Sequence, residues 1–178
     1  MAEWVKPAHG KGDIDRAGAS LVPWWKGEIT IDEQPKIFDF YKIAENWRSS
    51  HAMPLLTFRI NLGERARRID PNRIVAQRMK RFSSLMNKLV REENMKLSQM
   101  QDLGGCRAIL KDVGAAQRVY QFYQGGPPFG DGLKCYDYIQ NPKADGYRGI
   151  HVIGRYQARL GKNRHWNGQR IEIQLRSQ

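Results

Sequence analysis

The stretch Arg170-Ile-Glu-Ile-Gln-Leu-Arg176 alternates polar and apolar residues without a break. Successive side chains of a strand point to opposite faces, so Ile171, Ile173 and Leu175 share one face and Glu172, Gln174 and Arg176 the other. A half-buried strand of this kind needs neighbours, and the preceding sequence supplies them. Leu133–Ile139 and Gly149–Leu160 read as two strands, with a hairpin turn into the last strand signalled by Asn167-Gly168. Arg73–Arg81 reads as a fourth strand, and the run entered through Asp102-Leu-Gly-Gly-Cys-Arg107 as a fifth.

Between the strands the apolar period becomes helical. Ile37, Phe38, Phe40, Tyr41, Ile43, Ala44 and Trp47 predict a helix that stops near Arg48-Ser-Ser50. Leu55 to about Arg68 predicts a second, ended by Asp70-Pro71. Phe82–Arg91 and Val113–Tyr123 predict two more, and Gln124–Gly132 is a Gly/Pro loop. The order of elements predicts an α+β domain whose mixed β-sheet of about five strands is flanked by helices. Residues 1–36, rich in Gly, Pro and Trp, read as an N-terminal arm with one short helix near Ile14–Leu21; residues 37–178 form the main domain.

Composition narrows the function classes. The 178 residues carry a net charge of +12, which favours polyanionic partners such as nucleotides, nucleic acid or acidic lipid. No apolar run approaches the ~18 residues of a membrane span, and no signal-peptide core opens the chain, so the expected location is cytoplasmic, with no membrane partner. Cys106 and Cys135 are too few for a disulfide framework and lack metal-ligand spacing. His51 reads as a packing or capping histidine.

Three places could carry chemistry. Arg78, Lys80, Ser84 and Lys88 surround a predicted strand-to-helix junction, where free amides and the helix dipole add to the positive field. That is a triphosphate cradle or, equally by spacing, a solvated basic helix. Asp102 precedes two glycines at a strand entrance, a setting in which a metal and a phosphate approach the backbone closely. Glu172 approaches Asp102 only if their strands are neighbours. Third, Asn141-Pro-Lys-Ala-Asp-Gly-Tyr-Arg-Gly-Ile-His151 sets Lys143, Tyr147, Arg148 and His151 on a turn that becomes a strand. A ring and cations there suit a nucleotide, but also an ordinary surface hairpin.

Taken together, Arg78-x-Lys80-x3-Ser84-x3-Lys88, Asp102-x4-Arg107, Asp137-Tyr-Ile-x2-Pro-Lys143-x-Asp-Gly-Tyr147-Arg-x-Ile-His151 and Glu172-Ile-Gln-Leu-Arg176 resemble the RelA/SpoT alarmone synthetase domain. The resemblance spans about Arg73 to Arg176, and the compact single-domain synthetases, toxin-type members included, are the nearest form. It implies a nucleotidyltransferase-like fold and transfer of pyrophosphate from ATP to the 3′-hydroxyl of GDP or GTP, giving (p)ppGpp and AMP. By matching position it implies that Arg78, Lys80, Ser84 and Lys88 hold ATP. Asp102 and Glu172 would hold Mg²⁺, with Glu172 helping to deprotonate the acceptor. Lys143, Tyr147 and His151 would bind the guanine nucleotide, with Tyr147 stacked on the base and Gln174 beside that pocket.

The longer members of that family carry a hydrolase half built on a His-Asp dipeptide. None of His9, His51, His151 and His165 is followed by Asp, so synthesis without hydrolysis is expected, controlled by expression or a neutralising antitoxin protein. Gly149 departs from the Ser common in the Tyr-x-Ser-x-His run, which would loosen the guanine site. The chain ends directly after the Glu-Ile-Gln-Leu-Arg strand, where relatives continue into a helical segment, so exposed apolar surface on the last strand is expected. Two other readings stay open: the same transfer to a tRNA 3′ end or an adenine nucleotide, and a non-catalytic nucleotide- or RNA-binding module.

Overall fold

A computed structural model describes residues 3–124, 134–158 and 161–178. Its strands are β1 (Ile74–Met79), β2 (Gly104–Leu110), β3 (Lys134–Asp137), β4 (Ile150–Arg155) and β5 (Arg170–Ser177). They form one sheet in the order β1-β2-β5-β4-β3. β2 and β5 run parallel, and the other three pairings are antiparallel. The α+β class and the mixed five-stranded sheet read from the sequence are therefore the observed architecture.

The helices are α1 (Lys11–Trp25), α2 (Ile37–Ser50), α3 (Ala52–Ile69), α4 (Phe82–Arg91) and α5 (Val113–Gln124). α3 and α5 lie on one face of the sheet. Leu55, Phe58 and Leu62 of α3 and Ala116, Val119 and Tyr123 of α5 meet Ala108, Val152, Ile171, Ile173 and Leu175 in a single buried cluster. Each large apolar side chain buried there contributes about 1.5–3 kcal/mol of transfer free energy. A second cluster joins Ile14 and Leu21 of α1, Ile37 and Ala44 of α2, and Leu85, Met86 and Leu89 of α4 around Leu97, Met100 and Leu103. No helix among the described residues is long and apolar enough to cross a membrane.

Local chemistry sets the joints. α2 and α3 meet at His51, whose Nδ1 lies 2.8 Å from the Trp47 carbonyl oxygen. Burial pushes the imidazole down to about 4, so it is neutral and donates that bond, a packing group as expected. Pro54 falls in the first turn of α3, where its missing N–H costs nothing. Asp70 ends α3: its carboxylate accepts from the amides of Asn72 at 2.9 Å and Lys111 at 2.8 Å, tying the helix end to the exit of β2.

Several boundaries differ from the sequence reading. The short helix near Ile14–Leu21 is the 15-residue α1, with Pro23 inside its last turn. Residue 133, residues 125–132 of the Gly/Pro loop and residues 159–160 of the long strand lie outside the described residues. The connection into β5 is not a two-residue hairpin, because a 3-10 turn at Gly161–Trp166 precedes Asn167-Gly168. Gly168 still makes the final turn at φ +86°, and its N–H donates to the Tyr156 carbonyl at 2.9 Å. The apolar face of β5 is not exposed either: Ile171, Ile173 and Leu175 are fully buried, because α3 and α5 cover that face.

Candidate active site

The uncovered face of the sheet holds the polar half of each alternating strand. In the β2–β5 register Glu172 lies opposite Gly105 and Gln174 opposite Arg107; across β4, His151 lies opposite Gln174. Arg78 of β1 faces Gly105 from the other side. A cavity of about 440 Å³ opens over this face, and its lining includes Arg78, Lys80, Asp102, Arg107, Glu172 and Gln174. The adjacency of Asp102 and Glu172 thus follows from the parallel β2–β5 pairing.

Asp102 sits just before β2 and is held by two ammonium groups. Lys80 Nζ donates to Oδ2 at 2.9 Å, and Lys88 Nζ to Oδ1 at 3.1 Å. The side chains of all three residues are largely buried. Burial alone would raise the Asp102 carboxyl, but the bonds and charges of Lys80 and Lys88 outweigh it and hold the group below the ordinary carboxylate value. Lys80 is itself positioned from both ends: its N–H donates to the Leu103 carbonyl at 2.8 Å, and its carbonyl accepts from Arg48 Nη1 at 3.2 Å.

Glu172 has its own pair of donors. His151 Nδ1 lies 2.8 Å from Oε1, and Gln174 Nε2 donates to Oε2 at 2.7 Å. Burial again pushes upward, and the bonds from His151 and Gln174 bring the carboxyl below its usual value. Asp102 raises it slightly by like charge, which marks the two carboxylates as electrostatic neighbours. The far nitrogen of His151 meets the Tyr147 hydroxyl at 2.7 Å, so Tyr147, His151 and Glu172 form one hydrogen-bonded chain.

Around that chain the 138–151 segment folds into an aromatic and cationic cluster. Lys143 Nζ lies 4.5 Å from the Tyr138 ring centroid and 5.2 Å from that of Tyr147. The Arg176 guanidinium lies 4.8 Å from the Tyr147 centroid. Burial raises the Tyr147 hydroxyl above the usual phenol range, opposed by Arg176, so it is protonated and able to donate. A Cβ on Gly149 would stand 3.0 Å from the Tyr147 hydroxyl and 3.2 Å from the Leu175 carbonyl oxygen, and glycine alone leaves that space open.

The predicted residues are therefore not all brought together. Arg78, Lys80, Asp102, Glu172 and Gln174 line the cleft, Lys88 reaches it through Asp102, and Lys143, Tyr147 and His151 form its flank. Ser84 is exposed on α4 and is not among the cleft-lining residues. Arg107 and Arg176, unassigned individually from sequence, stand on the site face, as does Tyr138 beside the cluster. Period two was the signal for both arginines: Arg107 follows Gly105, and Arg176 follows Glu172 and Gln174. Cys106 points into the core, with burial pushing its thiol up to about 12, which excludes it as a nucleophile.

No group of three or more His, Cys, Asp or Glu side chains that could hold a metal occurs among the described residues. Two convergent carboxylates are nonetheless what Mg²⁺ asks of a protein when phosphate oxygens and waters complete its shell. Asp102 and Glu172 are the carboxylates of the cleft lining that could share such an ion.

Residues 77–178 match the family described as a region found in RelA / SpoT proteins. The chain belongs to that family. Its fold is shared with the small alarmone synthetase 1 from Bacillus subtilis bound to its product pppGpp (TM-score 0.66, 22% identity, covering 76% of this chain and 74% of that one). It is likewise similar to a GTP pyrophosphokinase family protein from Streptococcus pneumoniae (TM-score 0.60, 22% identity, 75% and 68% covered). The Type VI effector Tas1, solved in complex with its immunity protein, is a further structural neighbour (TM-score 0.57, 17% identity, 75% and 60% covered). No curated protein matches the chain in sequence.

Proposed function

We propose that this chain transfers the β,γ-pyrophosphate of ATP to the 3′-hydroxyl of GDP or GTP, releasing AMP, and does not hydrolyse the product. The observation that carries the reading is Glu172 held between His151 and Gln174, beside an Asp102 that organises two lysines in the same cleft. A site that only bound phosphate would gain nothing from two ionised carboxylates in its wall.

In this reading Arg78, Lys80, Lys88 and Arg107 meet the ATP phosphates and the neighbouring nucleoside, with Ser84 at the outer edge. Lys143, Tyr147, His151 and Gln174 receive the acceptor. Asp102 and Glu172 would hold Mg²⁺, which would supply neutralisation of the phosphate charge. The acceptor oxygen forms a bond to the β-phosphorus while the bond from that phosphorus to the α,β-bridging oxygen breaks. The bridging oxygen leaves with AMP, and the acceptor proton passes to Glu172. Each Glu172 oxygen keeps a lone pair beyond the bond it already accepts. A carboxylate below its usual pKa is a weak base, so alignment supplies most of the acceleration.

Incubating the protein with γ-labelled ATP and, separately, GDP, GTP, AMP and deacylated tRNA tests the reading. Label on GDP or GTP supports it. Label on AMP or tRNA moves the same chemistry to another acceptor, and no transfer with ATP binding intact leaves a binding module. A neutralising protein partner would be sought by the same assay, as loss of transfer on mixing.

A further inference from the structure

The side chains on the open face of β5 close into a ring with those of the Tyr147 turn. Arg176 Nη2 donates to Gln174 Oε1 at 3.1 Å, and Gln174 Nε2 donates to Glu172 Oε2 at 2.7 Å. From the other Glu172 oxygen the ring continues to His151 Nδ1 at 2.8 Å, and His151 Nε2 meets the Tyr147 hydroxyl at 2.7 Å. The Arg176 guanidinium, 4.8 Å from the centroid of the Tyr147 ring, completes it. Glu172 is thus held at both oxygens, and both arms end at Tyr147. Gly149 allows the closure, since a Cβ there would stand 3.0 Å from the Tyr147 hydroxyl and 3.4 Å from its Cζ.

The arm through Arg176 can be assembled in only one sense. A guanidinium only donates and an ionised carboxylate only accepts, whereas a glutamine amide carries one group of each kind. Gln174 must therefore present Oε1 to Arg176 and Nε2 to Glu172. A long side chain such as glutamine has many rotamers to lose, and anchoring both ends of its amide removes that freedom. Arg176 is in turn fixed by its Nη2 bond and by the Tyr147 ring, because its Nε is buried with no hydrogen-bond partner among the described residues.

The two arms respond differently to an acceptor. A base that stacks on Tyr147 draws the hydroxyl away from His151 and loosens that arm, while the bonds from Arg176 to Gln174 and from Gln174 to Glu172 do not involve the hydroxyl. We propose that Arg176 is a positioning residue of the transfer reaction, which through Gln174 holds Glu172 in place when the acceptor takes Tyr147. The proposal rests on the transfer reading above. Without this arm Glu172 turns about its own bonds at the stage when the acceptor hydroxyl has to be aligned against it.

Transfer kinetics and side-chain amide NMR on the intact chain test this. In Arg176→Met, kcat should fall about tenfold, the scale of one hydrogen bond to a charged group, while the ATP KM stays within about twofold. Arg176→Lys keeps a donor without the planar fork and should recover part of the loss. Because Arg176 acts through Gln174, Arg176→Met should cost nothing further in a Gln174→Met background. The Gln174 amide protons, assigned from the backbone, should stand apart in shift from those of exposed glutamines and move toward them in Arg176→Met. Unchanged kcat in folded Arg176→Met, a fully additive loss in Gln174→Met, or a loss confined to the acceptor KM would overturn the proposal. So would wild-type Gln174 protons already at the exposed values, a result that needs no variant to fold. No transfer by the wild type would overturn the transfer reading, and this proposal with it. Transfer that Arg176→Met leaves intact overturns the proposal alone.

Discussion

The Tyr147 hydroxyl fills the space that a side chain on Gly149 would take: a Cβ there would stand 3.0 Å from it. Tyr147 is thereby laid against His151, with its hydroxyl 2.7 Å from Nε2, instead of standing free for a base. Gly149→Ser should push the ring off His151. Breaking one hydrogen bond before stacking costs about 1 kcal/mol, so removing that step should lower the acceptor KM about fivefold. Acceptor KM measured for wild type and Gly149→Ser checks this; an unchanged KM would show that Tyr147 leaves His151 at no cost.

Tyr147→Ala should have the opposite effect. Loss of the ring should raise the acceptor KM, by roughly tenfold for a stacking contact of 1–3 kcal/mol, and leave the ATP KM alone. Steady-state kinetics with each substrate varied in turn distinguishes the two.

Glu172→Gln keeps the shape and removes the charge that His151 and Gln174 address. We expect kcat to fall by about a hundredfold or more, with the ATP dissociation constant nearly unchanged. The sign of the pH effect follows from the lowered Glu172 carboxyl. The ionised form persists below the ordinary glutamate range, so wild-type kcat/KM should hold level through that range and drop only at lower pH. An acid limb centred above it would contradict the assignment.

Lys88→Met removes one of two ammonium groups from Asp102. ATP affinity should fall by about tenfold, the worth of a charge-assisted bond, and the Asp102 carboxyl should rise toward its ordinary value. Isothermal titration and carboxyl chemical shifts against pH would measure both.

His51 gives a stability prediction independent of the reaction. Its folded-state value of about 4 lies below the model-peptide 6.5, so the unfolded chain binds the extra proton between those two limits. Stability should therefore be full above 6.5 and decline as pH falls toward 4, by about 3 kcal/mol over the window. His51→Asn, which retains a donor toward the Trp47 carbonyl, should flatten that part of the curve in urea unfolding at a series of pH values.

These residues also show what the sequence could convey. The alternation in β5 is visible in its text, because a strand with one covered face must alternate. That Glu172 stands beside Asp102 is not visible, since it depends on β5 entering the sheet parallel to β2, a long-range pairing with no local signal. Lys80 and Lys88 were legible as a basic pair, but their shared anchor on Asp102 was not. Ser84 is exposed and outside the cleft lining, since helical spacing gives an edge and not a direction toward the cleft. α1 was under-read because Pro23 looks like a terminator, whereas in the final turn it is tolerated. The loop before β5 folds into a 3-10 turn whose Trp166 anchors on the Val5 carbonyl, a contact across nearly the whole chain.

Core and cleft use the same strands, one residue out of step. Ile171, Ile173 and Leu175 answer to α3 and α5, while Glu172, Gln174 and Arg176 answer to whatever enters the cleft. Selection can therefore act on the two sets almost separately. A lineage could exchange its acceptor by rewriting alternate letters of β5 and the Tyr147 turn, and the hydrophobic interior would register little of the change.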